Sequence, residues 1–144
     1  MTRRQQQIGK QGEQLAETVL RLRGVNLVQH IGTPVHLIPH PTAKKYFRVI
    51  WGERVAGDRR GVLDDGTSVL AEVKTVLNAN LRWSDFRDHQ PGQLSDHAVL
   101  AVSLVVWVHS SGVYVMRWPI DGFGRGKSIT PDRARELDVQ DLRD

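Results

Sequence analysis

The residues that most constrain the fold run from Gly57 to Thr75. Gly61-Val62-Leu63 is an apolar run, Asp64-Asp65-Gly66 carries turn chemistry, and Ser68 to Thr75 is a second apolar run, which together specify a β-hairpin. Side chains alternate along a strand with period two. In the second strand Val69, Ala71 and Val73 therefore share one face, while Leu70, Glu72 and Lys74 share the other. Asp58, just after Gly57, stands at the mouth of the hairpin, and pairing of the two strands brings it towards the face of Glu72 and Lys74. Two carboxylates and a lysine converging in this way make a site for a hard divalent cation beside a phosphate.

The rest of the chain is suited to holding such a site. At 144 residues, with 40% hydrophobic and 25% charged residues, it is long enough for one domain with a core of its own and is not a disordered composition. The absence of cysteine excludes a disulfide scaffold and thiolate-ligated zinc. The longest apolar run, Ala98 to Val108, is too short for a membrane-spanning helix, and no apolar segment follows the basic start at Arg3-Arg4. A cytoplasmic protein with no membrane partner is the expectation. The net charge of +4 is unevenly distributed: residues 1–60 carry eleven Lys and Arg against four acids, and residues 61–144 carry nine against twelve. A basic excess ahead of the proposed site suits a polyanionic partner, because each phosphate neutralised releases condensed counterions.

In chain order, Gln5 to Arg23 has helical periodicity, with Ile8, Leu15, Ala16, Val19 and Leu22 as its apolar stripe and Gly24 as its stop. Glu13 and Glu17 lie one turn apart on this helix. A carboxylate on a helix bordering the sheet is a candidate to complete a metal site, although a solvated charge is the plainer account of Glu17. Val25 to His30 reads as a strand, and Gly32 to Val35 as an extended turn. From His36 to Arg54 the prolines at 39 and 41 exclude a helix, and Lys44, Lys45, Arg48 and Arg54 alternate with Tyr46, Phe47 and Trp51. That interleaving suits phosphate contact with stacking, or equally a hairpin with aromatic packing and solvated lysines. Further on, Ser84 is a candidate cap of a short helix and Gln93 to His97 a candidate second one. Ala98 to Val108 reads as a buried strand that turns at Ser110-Ser111-Gly112 into Val113 to Trp118. The segment from Asp121 to Ser128 imitates a phosphate-binding P-loop but lacks its first glycine and reads as a flexible loop that could touch DNA, and Thr130-Pro131 should cap a short terminal helix.

An Asp followed at this distance by Glu-x-Lys resembles the PD-(D/E)xK nuclease motif. Several further motifs occur in order: Gly9-x-x-x-Glu13, Thr33-Pro34-Val35, Asp58-Arg59-Arg60-Gly61, Glu72-Val73-Lys74-Thr75 and His89-Gln90. With these, residues 9 to 118 resemble the recombination protein U type of Holliday junction resolvase.

The resemblance implies an α/β fold with a restriction-endonuclease-like core, a central mixed β-sheet flanked by helices, and a protruding stalk-like insertion at about residues 36–55, followed by a tail at about 119–144. It implies a Mg²⁺-dependent endonuclease, with Mn²⁺ as the alternative ion. The implied activity is resolution of four-way DNA junctions by a homodimer that makes paired, symmetric cuts. The implied catalytic set is Glu13, Asp58, Glu72, Lys74 and Gln90, with Asp58, Glu72 and Gln90 at the metal. Lys44, Lys45, Arg48, Arg54, Arg59, Arg60 and His89 would meet the nucleic acid. A recombinase is left open as a further partner. The chain departs from the family pattern at Ala56, where a threonine is usual, and in a shorter stretch between Pro34 and Asp58. Two other readings remain: a nuclease of the same fold acting on other branched, damaged or duplex DNA, and a module that binds junction DNA or a recombinase without cutting.

Overall fold

The computed structural model describes residues 2–27, 33–39, 47–52 and 58–143, the two middle segments in their backbone alone. Among these residues the protein is an α/β structure with three α-helices and a mixed five-stranded sheet packed against helices. None of the described helices is long and apolar enough to cross a membrane.

The chain opens with α1 (Arg3–Leu22), started by a reciprocal cap in which Thr2 Oγ1 accepts from the Gln5 amide and Gln5 Oε1 accepts from the Thr2 amide. Strand β1 (Asn26–Leu27) pairs antiparallel with β4 (Asp58–Val62). β4 in turn pairs antiparallel with β5 (Ser68–Thr75). Between β1 and β4 in sequence, β2 (Thr33–Pro39) and β3 (Phe47–Gly52) form their own two-stranded antiparallel sheet. Since β1 and β4 are neighbours in the main sheet, β2 and β3 belong to an insertion between adjacent strands. Thr33 to Val35, expected as a turn, belongs to β2.

After β5 come β6 (Leu81–Arg82), a 3₁₀ turn (Trp83–Asp85) and α2 (Gln90–Ala98). This connection returns the chain to β7 (Val102–His109), which lies parallel to β5 at the centre of the sheet. A parallel neighbour requires such a crossover. A tight reversal then gives β8 (Gly112–Arg117), antiparallel to β7, so the strand order is β1-β4-β5-β7-β8. Ala98, expected to open the buried strand, closes α2 instead, and Ser84 lies inside the 3₁₀ turn rather than capping a helix. The tail is integrated into the body. β9 (Ser128–Ile129) pairs with β6, α3 (Pro131–Leu137) is capped by Thr130 as expected, and Leu142 is 1% exposed in the core.

Each face of the sheet carries its own core. On one, Val69, Ala71, Val73, Leu104, Val106 and Val115 pack under Ala16 and Leu20 of α1. On the other, Leu70, Val105, Trp107, Tyr114 and Met116 pack against Leu94 of α2 and Ala134 of α3. The central strands β5 and β7 are buried on both faces, as a parallel pair must be when helices cover it. Polar atoms inside this core are satisfied locally: Trp107 Nε1 donates to the Val76 carbonyl at 2.9 Å and Ser103 Oγ to the Leu94 carbonyl at 2.7 Å.

The face that α1 buries differs from the expected stripe. Gly12, Ala16 and Leu20 are buried, whereas Leu15 is 47% and Leu22 73% exposed. The reason is the close approach at Gly12, where a Cβ would stand 2.2 Å from Thr75 Oγ1 at the end of β5. Small Gly12 and Ala16 let the helix backbone sit on the sheet beside buried Leu20, and Leu15 and Leu22 are turned to its flank. Gly9 is different: a Cβ there meets open space.

These two glycines should respond oppositely to substitution. Gly12→Val is expected to destabilise by about 1–3 kcal/mol through overpacking. Gly9→Ala is expected to be neutral or to stabilise by up to about 1 kcal/mol, since it replaces a poor helix former in open space. Urea unfolding of both variants measures this, and equal effects at the two positions would contradict the placement of α1.

Candidate active site

The register of the β4–β5 hairpin sets Asp58 directly opposite Glu72 and Arg59 opposite Ala71. Directly opposed residues of an antiparallel pair point to the same face, with Cβ atoms about 4.5–5.5 Å apart. Asp58 and Glu72 thus form one rung, and Lys74 follows two residues along β5 on the same face. This is the convergence expected from the sequence. Glu72 is 5% exposed, and Asp58 Oδ1 is buried with no hydrogen-bond partner among the described residues.

Gln90, the first residue of α2, completes the cluster. Its Nε2 donates to Glu72 Oε1 at 2.9 Å, and its Oε1 accepts from Lys74 Nζ at 2.7 Å and from the Arg87 amide at 2.9 Å. Lys74 Nζ also stands 3.5 Å from Glu72 Oε1 and 4.9 Å from the centre of the Phe86 ring. The neighbours fix which way the amide points. Turned over, its NH₂ would meet two donors and its oxygen a carboxylate.

Both atoms of the Gln90 amide head are engaged, the oxygen by Lys74 and Arg87 and the nitrogen by Glu72, so it brackets the two ionisable groups. Glu13, expected in the catalytic set, is placed on the other side of the sheet. It lies on α1, which covers the opposite face of the sheet, and its Oε2 accepts from Arg59 Nη2 at 3.1 Å. Arg59, expected at the DNA surface, is 7% exposed: the strand's alternation turns it beneath α1, where Nε donates to Glu17 Oε1 at 2.6 Å. Its Nη1 donates to the Asp58 carbonyl at 2.9 Å. The Glu13–Arg59–Glu17 group thus holds the backbone of Asp58 from behind.

Of the remaining expected DNA contacts, Arg60 and His89 are exposed. Arg60 shares the Asp58 face of β4, and His89 precedes Gln90 at the start of α2. Arg48 is described only as a backbone position opposite Ile38, and Lys44, Lys45 and Arg54 lie outside the described residues. Sequence reasoning did not find Phe86 and Arg87. Their signal was Pro91, which marks the first turn of a helix and so places the residues before it at the helix entrance, beside Gln90.

The electrostatics of the cluster suit a cation. Burial pushes the Glu72 carboxyl up to about 7, with Lys74 opposing the rise and Asp58 adding to it. Burial likewise pushes Lys74 below its ordinary value, with Glu72 opposing. No three His, Cys, Asp or Glu side chains come together as a metal-binding group among the described residues. The donor set is the two-carboxylate rung, one of whose oxygens is buried without a partner. That set fits Mg²⁺ or Mn²⁺, hard ions that accept one or two carboxylates and take their remaining ligands from water and phosphate.

No protein-family model matches the chain, and no curated protein matches it significantly.

The raised Glu72 gives a pH signature in metal-free protein. The native carboxyl keeps its proton up to about pH 7, whereas the unfolded chain releases it near its ordinary value of 4.5. The native state then binds more protons, so this group's contribution to stability is present below 4.5 and is lost as pH rises to 7. The loss is on the order of 3 kcal/mol. Urea unfolding in EDTA should show native protein losing stability across that window relative to Glu72→Gln. A constant difference between the two would contradict the burial of an ionisable Glu72.

Proposed function

We propose that the protein is a Mg²⁺-dependent DNA endonuclease with a restriction-endonuclease-like core, and that its substrate is the four-way junction. The observation that carries this reading is the Asp58–Glu72 rung, with its unpartnered buried oxygen and with Lys74 two residues on. The mixed sheet with α1 on one face and α2 on the other, and the insertion between β1 and β4, agree with the architecture that the ordered motifs imply.

A divalent ion held by Asp58 and Glu72 would acidify an attacking water and stabilise the departing alkoxide. The chain's own residues supply the rest. Lys74 presents a cation whose position is fixed by the Gln90 oxygen and the Phe86 ring, so its charge meets the negative charge that grows on the phosphoryl oxygens without reorganising first. Gln90 keeps the Glu72 carboxylate and the Lys74 ammonium at a fixed spacing by donating to one and accepting from the other. Arg59 fixes the backbone of Asp58 from the far side of the sheet. Arg60, exposed on the Asp58 face, is positioned for a flanking phosphate.

Resolution of a junction requires two cuts of like polarity, which a twofold dimer provides by symmetry. In this reading the enzyme acts as a homodimer. The exposed Leu15 and Leu22 on the flank of α1 are its candidate interface residues.

The test compares a labelled four-way junction with a linear duplex of the same sequence in Mg²⁺, using native protein, Asp58→Asn and Lys74→Ala. Symmetric nicks in the junction alone are expected, with the rate falling by about 10²–10³-fold in Lys74→Ala. Equal cutting of both substrates would replace junction resolution by a broader nuclease activity. Tight binding without cutting in Mg²⁺ or Mn²⁺ would remove the nuclease.

A further inference from the structure

The segment that imitates a P-loop in sequence has a defined conformation. Two consecutive reverse turns build it, one closed by the Phe123 amide donating to the Ile120 carbonyl at 3.1 Å, the next by the Lys127 amide donating to the Gly124 carbonyl at 2.9 Å. In the second turn Gly126 has φ +72°, which a residue with a side chain rarely adopts, and Arg125 occupies the preceding corner. The turn is tied down on both sides. Ser128 and Ile129 pair with Arg82 and Leu81, and the Trp83 amide donates to the Lys127 carbonyl at 3.1 Å.

Phe123 anchors it from below, lying edge-on to Trp83 at 5.2 Å and to Phe86 at 5.7 Å between ring centres. Phe86 is the ring over which Lys74 Nζ sits at 4.9 Å. Two aromatic side chains, Phe123 and Phe86, therefore link the turn to the lysine of the candidate active site. Between Gly122 and Pro131 the only charged residues are Arg125 and Lys127. Both are exposed, and neither makes an ion pair among the described residues.

We propose that the turn carrying Arg125 and Lys127 is a phosphate-contact surface that holds the nucleic-acid strand where it leaves the site at Lys74. A pair of cations carried on a fixed backbone at this position fits a polyanion continuous with a phosphate at the active site, and the glycines beside Arg125 leave the backbone open to it. The proposal rests on the nuclease reading for the identity of the strand as DNA. It does not depend on the insertion between β1 and β4.

The test measures DNA affinity against salt concentration for the full-length protein in EDTA, by anisotropy of a labelled duplex and a labelled four-way junction. Native protein is compared with Arg125→Ala/Lys127→Ala and with Arg4→Ala/Arg21→Ala, which removes the same charge from exposed positions on α1 across the sheet. Loss of two phosphate contacts flattens the slope of log affinity against log salt by about 1.8, while the α1 variant keeps the native slope. Equal slopes for the two double variants, or no DNA binding by native protein, would overturn the proposal. Cleavage in Mg²⁺ on the same samples separates the claims. Binding with a turn-dependent slope but no cutting keeps the surface and removes the nuclease, whereas cutting with unchanged slope does the reverse.

Discussion

One rung of the sheet, Asp58 against Glu72, sets the terms for everything around it. Two carboxylates share one face of the hairpin, Glu72 buried and Asp58 half-buried, and the Asp58 charge opposes ionisation of Glu72. Such a pair persists only if its surroundings compensate. Lys74 supplies a positive charge, Gln90 a hydrogen bond to Glu72, and protonation of Glu72 near neutral pH relieves the remainder. Asp58 Oδ1 still has no partner among the described residues. A buried acceptor with no partner among the described residues, beside a carboxylate that burial pushes up to about 7, is the observation from which a cation at this rung is proposed.

The two faces of the sheet divide the work. The face under α2 presents Asp58, Glu72 and Lys74, while the face under α1 holds Arg59 between Glu13 and Glu17 and so fixes the strand from behind. The strand's period of two converts neighbours in sequence into residues with opposite roles: Asp58 enters the site, and Arg59 supports it. The same logic places Arg60 back on the site's face.

The hairpin was legible from its alternation and turn chemistry, while the register that sets Asp58 opposite Glu72 came from the structure. The terminal helix was legible from Thr130-Pro131, whose cap forms as expected. The buried side of α1 was not. Periodicity shows an apolar stripe, but which edge of it touches the sheet is decided by the closest backbone approach, and here small Gly12 and Ala16 permit that approach while Leu15 and Leu22 do not. Gln90 was found as a site residue, but its bridging contacts were not. Sequence marks an amide near the site, whereas only its partners reveal that both of its ends are taken. Arg59 was misplaced because its charge was weighed without its strand parity.

The central claim is that the Asp58–Glu72 rung holds a divalent cation, and the direct measurement is calorimetric titration of metal-free protein with Mn²⁺ at pH 8, for native protein and for Asp58→Asn. The account predicts one Mn²⁺ site per chain in the native protein and its loss in the variant. Equal binding by both, or no binding by either, would contradict it.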